Sequence, residues 1–65
     1  MDLKKIYEYA LQREREGLDF FTRSAERAAH AAAAGVFRKL ADEEKKHIQF
    51  VQSLLDGLAS GKPAK

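Results

Sequence analysis

The sequence has no cysteine and no tryptophan, a single proline at Pro63, and four glycines in 65 residues. Without cysteine there is no disulfide framework, no thiolate zinc site and no rubredoxin-type iron centre. That absence matters in so short a chain. Cores below about 70–80 residues rarely supply more than roughly 3–5 kcal/mol and are ordinarily stapled by disulfides, a metal or a partner. A metal ion, a partner chain, or both remain as staples. Charge of one sign is also missing. Twelve Lys and Arg face ten Asp and Glu, for a net charge of +2. The two signs are interleaved, as in Arg13-Glu14-Arg15-Glu16 and Asp42-Glu43-Glu44-Lys45-Lys46, so no segment reads as a nucleic-acid-binding arm. No window approaches the roughly 18 apolar residues of a membrane span. Residues 1–8 lack the apolar stretch of a secretory signal. A cytoplasmic protein without nucleic-acid or membrane partners is expected.

What is present favours helix. Ala, Leu, Glu, Lys and Arg dominate and β-branched residues are sparse. One helix is expected from about Leu3, with Asp2 as its N-cap. Its apolar stripe is Leu3, Ile6, Tyr7, Ala10, Gly17, Leu18, Phe21, Ala25 and Ala28. A second stripe is Phe37, Leu40, Ala41, Ile48, Val51, Leu54, Leu55 and Leu58. Both step by three and four, the helical period. Leu11, Phe20 and Phe50 flank these stripes, either widening the core or marking contacts between dimers. The expected fold is all-α: an antiparallel two-helix hairpin over residues 1–58 that dimerises into a four-helix bundle. A helix stop and a flexible tail are expected over residues 59–65.

Each stripe is interrupted in its middle by ionisable residues. Glu14 interrupts the first; Glu44 and His47 interrupt the second. An unpaired buried carboxylate costs several kcal/mol, comparable with the whole stability of such a core. Something must therefore neutralise these groups. Glu44-Lys45-Lys46-His47 is a Glu-x-x-His motif, and residues three apart share a helix face. One ion can reach both, with Glu14 as a third ligand. Carboxylate plus imidazole suits iron, manganese or zinc better than calcium or magnesium. Two chains about a twofold axis would bring four carboxylates and two imidazoles together, enough to balance two divalent cations. The nearest rivals are weaker. Glu16 lies well round the helix from the stripe, and Glu43 has no histidine three residues later. His30 reads as a turn residue and Tyr7 as core.

At these residues the chain resembles the rubrerythrin and ferritin-like superfamily. Glu14-Arg15-Glu16-Gly17-Leu18-Asp19-Phe20-Phe21 looks like the family's first metal helix. The segment from Phe37 to His47 looks like its second, and the likeness covers roughly residues 7–55. Ferritin-like di-iron and di-manganese bundles take one Glu from each of two helices and Glu-x-x-His from each of the other two. Relatives usually carry four such helices in one chain. Two helices here make the chain similar to half-length members, including encapsulated ferritins, whose site forms between subunits. The resemblance implies a di-iron centre shared by two chains of a homodimer or higher even oligomer, with manganese or zinc as alternatives. Glu14 and His47 would be terminal ligands and Glu44 the bridging one. The implied activity is oxidation of Fe(II) by O₂ or peroxide, in storage or detoxification. Storage would need a larger assembly or a separate shell. The competing expectation is a structural four-helix dimer holding a non-redox metal or none. Three departures stand out. Phe21 occupies the place of a tyrosine in many relatives. Gly17 stands where rubrerythrins proper carry an extra glutamate. The tail has no apolar shell-targeting peptide.

The position of the turn separates two sets of rules. Local propensity points to Gly35, the one helix breaker between the stripes. The site requires otherwise, because facing residues of an antiparallel hairpin are equidistant from the turn. Levelling Glu14 with the Glu44/His47 pair puts the turn near residue 30. A turn at Gly35 would offset the ligands by about 15 Å along the bundle. The expected turn therefore lies within residues 28–33, with Gly35 in the first turns of the second helix.

Overall fold

In the computed structural model the described residues are 2–61. They form two helices, α1 (Leu3–Arg27) and α2 (Ala31–Ala59), packed antiparallel as a hairpin. Asp2 caps α1 as its sequence position suggests, its carboxylate accepting from the Lys5 backbone N–H at 3.4 Å. Arg27 occupies the last turn of α1, where a cation complements the helix dipole. The turn comprises Ala28, Ala29 and His30. Both Ala28 (φ −64°, ψ 130°) and His30 (φ −116°, ψ 136°) are extended. No non-glycine residue among those described has positive φ, so the reversal needs no glycine. Gly35 is the fifth residue of α2. The turn thus lies where ligand levelling requires it, and the alanine run opens the second helix instead of closing the first.

At its far end α2 extends through Ala59, one residue past the expected limit at 58. The correction has a local cause. Ser60 stays near helical geometry and its N–H bonds to the Asp56 carbonyl, while Gly61 (φ 75°) supplies the left-handed residue that stops the helix. Of the tail expected over 59–65, residues 62–65 lie outside the described residues.

Small side chains set the closeness of the two helices. The buried residues among those described are Leu11, Ala25, Ala34 and Ala41. Phe21 and Phe37 stack across the interface with centroids 6.4 Å apart. Leu11 therefore belongs to the core, whereas Phe20 and Phe50 are exposed. The molecule is a rod of 47 × 17 × 13 Å with a radius of gyration of 14.7 Å. A globular chain of this length would measure about 11 Å. The difference reflects a single layer of two helices, with one apolar face left uncovered. Leu3 and Ile6 on α1, and Val36 and Leu40 on α2, stand exposed on that face. No helix among the described residues is long and apolar enough to cross a membrane.

Gly35 tests this description of α2. A Cβ added there meets nothing within 4 Å, and the position is interior to a helix. Gly35→Ala is expected to raise the unfolding free energy by roughly 0.5–1 kcal/mol, read from urea denaturation.

Candidate metal centre

Glu14, Glu44 and His47 meet at mid-length of the hairpin. Glu14 lies near the centre of α1, and the Glu44/His47 pair brackets the centre of α2. Within α2 the three-residue spacing stacks Glu44 and His47 on one face. The antiparallel turn then brings Glu14 level with them. His47 Nδ1 is 3.0 Å from Glu14 Oε2 and 3.4 Å from Glu44 Oε1. One ligand atom from each of the three lies within 4.8 Å of the others. The three candidate residues of the sequence therefore converge in one chain.

The rival acids point elsewhere. Glu16 pairs with Arg13 at 3.2 Å, and Glu43 with Lys46 at 3.4 Å, both on the solvent side. Asp19 and Asp42 are likewise held by Arg23 and Lys45 within their own helices. Such exposed pairs contribute little to stability, but they engage the cations. Among the described residues the basic partner of Glu14 and Glu44 is His47. His30 ends as a turn residue at the N-cap of α2.

The electrostatics follow from that isolation. The Glu44 side chain is 17% exposed, and its pKa is raised above the ordinary carboxyl value. Burial is the largest cause. The hydrogen bond and repulsion from Glu14 add to it, while His47 opposes it. Two carboxylates this close resist joint ionisation, so a proton or a cation must lie between them.

The donor set fits a transition-metal ion. Around an ion with bonds of about 2.1 Å, neighbouring donors lie roughly 3.0 Å apart at right angles and 3.4 Å apart at tetrahedral angles. The two separations to His47 Nδ1 lie in that range, which is also the range of the hydrogen bond that joins His47 to Glu14. Two carboxylates balance one divalent charge, and the mixture of oxygen and nitrogen donors suits iron, manganese or zinc. His47 is the most exposed of the three at 55%.

The family model for rubrerythrin matches residues 1–58. The chain belongs to the rubrerythrin family. No curated protein and no solved structure matches it. Membership makes this a ferritin-like protein of an iron-binding family, and the Glu14, Glu44 and His47 group is one that could hold a metal ion. In this rubrerythrin-family chain Glu14 stands on α1 and Glu44 and His47 on α2. Sequence reading missed one contact of the group: Gly17, noted there as a stripe position and as a departure from the rubrerythrin pattern, lies against Glu44. Its closeness to Glu44 depends on how near the two helices come, and helical spacing alone does not reveal that.

The raised pKa of Glu44 carries a stability consequence with a definite sign. Folded protein retains the Glu44 proton to higher pH than unfolded protein does. Stability is therefore lost as pH rises from the ordinary carboxyl range of about 4.3 through the raised value. Glu44→Gln keeps the shape without the charge. In the presence of chelator, Glu44→Gln is expected to melt above wild type at pH 7. The gap should close as pH falls to about 4, as followed by circular dichroism.

Proposed function

We propose that the protein is a homodimeric ferroxidase that binds two Fe(II) between its chains and oxidises them to Fe(III). The observation that carries this reading is a coincidence of position. By helical spacing Val36 and Leu40 share one face of α2 with Glu44 and His47, and exposed Leu3 and Ile6 share the α1 stripe with Glu14. A second hairpin on that face covers the apolar residues and doubles the ligand set in one event. A twofold axis achieves both with one self-complementary contact. Family membership supports iron as the ion.

In the proposed dimer, Glu14 and His47 of each chain are terminal ligands and Glu44 reaches towards both ions. Four carboxylates then balance two divalent cations. Carboxylates hold a metal ion in their ionised form, so any proton held on Glu44 would be released on iron uptake. The anionic oxygen donors stabilise the higher ferric charge. Each Fe(II) gives up one electron, and O₂ or peroxide accepts two electrons and two protons. The apolar residues above and below the ligands limit water at the site. The reading places this chemistry in cytoplasmic iron detoxification or storage. One hairpin pair cannot enclose a mineral, so storage would require a larger assembly or a shell formed by a different protein.

Two measurements test the reading. Fe(II) added anaerobically and then exposed to air should give near-ultraviolet absorbance of carboxylate-bound Fe(III). Glu44→Ala should abolish that signal and the bound iron, while Glu43→Ala retains both. Equal loss in the two variants would overturn the ligand assignment. Absence of any ferric signal in wild type, with stability indifferent to metal, would return the protein to a purely structural role. Sedimentation at micromolar concentration should give a dimer or larger even oligomer. A folded, metal-loaded monomer would overturn the shared site.

A further inference from the structure

Gly17 lies three residues after Glu14, in the middle of α1. A Cβ built at Gly17 would stand 2.7 Å from Glu44 Oε2 and 3.3 Å from Glu44 Cδ. Actual Cβ atoms essentially never approach so closely, so the carboxylate and a side chain at this position cannot share the space. The backbone offers no other reason for glycine. Among the described residues positive φ occurs only at Gly61, and glycine inside a helix is less favourable than alanine. At Gly35, in the other helix, the corresponding Cβ meets nothing within 4 Å.

We propose that Gly17 is a positioning residue: its missing side chain leaves a slot on α1 in which the Glu44 carboxylate rests, within reach of Glu14 and His47. The consequence for metal rests on the ferroxidase reading above, while the slot itself is a property of the metal-free hairpin. Glu44 Oε2 is the far end of a flexible side chain. A methyl group at position 17 therefore spares the helix and moves the carboxylate away from α1. Helix stability and metal binding should consequently respond in opposite directions, which a purely structural glycine would not produce.

A double-mutant cycle on the metal-free protein tests the slot. Wild type, Gly17→Ala, Glu44→Ala and the double variant are melted in chelator. Gly17→Ala should raise the melting temperature several degrees more in the Glu44→Ala background, where no carboxylate opposes the methyl group, than in wild type. Co(II) titration, followed by visible absorption, tests the consequence. Gly17→Ala should bind at least tenfold more weakly than wild type, and Gly35→Ala as tightly. Sedimentation of the same samples registers any change in association. Additive melting shifts would overturn the slot whatever the metal does. Coupled shifts with unchanged Co(II) affinity, or weakened binding that tracks loss of the oligomer, would overturn the positioning role. Failure of wild type itself to bind Co(II), with coupled shifts retained, would overturn the metal reading and leave the slot standing.

Discussion

Two acidic side chains from different helices stand beside one imidazole, and the rest of the hairpin is arranged around keeping them level. Glu14 and Glu44 repel each other, and burial removes water that would screen the repulsion. Such a group is stable only with a counter-charge or a proton between its members. Its geometry tolerates little slip along the helix axes, since one residue of register displaces a ligand by about 1.5 Å and turns it by about 100°. The turn at Ala28, Ala29 and His30 lies where that register requires it.

The hydrophobic contribution is modest by comparison. Three of the four buried residues are alanines, which remove little apolar surface each but let the helix backbones come close. Close approach serves the site directly. It brings α1 near enough for the Glu44 carboxylate to lie against Gly17. The same closeness prevents two helices from enclosing a core of their own, and large apolar groups such as Leu3 and Val36 stay exposed. A thin, closely packed pair with apolar side chains left exposed follows from the same alanines that bring Glu14 and Glu44 together.

Much of this was legible in the sequence. The stripes gave two helices, and their interruptions marked Glu14, Glu44 and His47. Asp2 announced the start of α1. Distance arithmetic between ligands placed the turn, against the local preference of the alanine run for helix and of Gly35 for a break. Gly35 costs its helix only about 1 kcal/mol, little enough for packing between the two stripes, Phe21 against Phe37 among it, to override. Less legible were features that depend on interhelical distance. Leu11, Phe20 and Phe50 look alike as flanking apolar residues, yet only Leu11 is turned far enough towards α2 to be buried. The end of α2 escaped by one residue, because Ser60 and Gly61 close the helix after Ala59 rather than before it.

The location of the ligand group at mid-length of both helices also bears on how an ion would travel. Either end of α1 lies roughly 15–20 Å from Glu14 along the helix axis. In a closed four-helix bundle, an axial route would cross several layers of apolar side chains. A sideways route between neighbouring helices crosses about one. In the single hairpin His47 is the most exposed of the three. Traffic would pass through the wall of the bundle rather than its ends, so the polar side chains bordering the seam, not the capping residues, would govern the rate of ion entry.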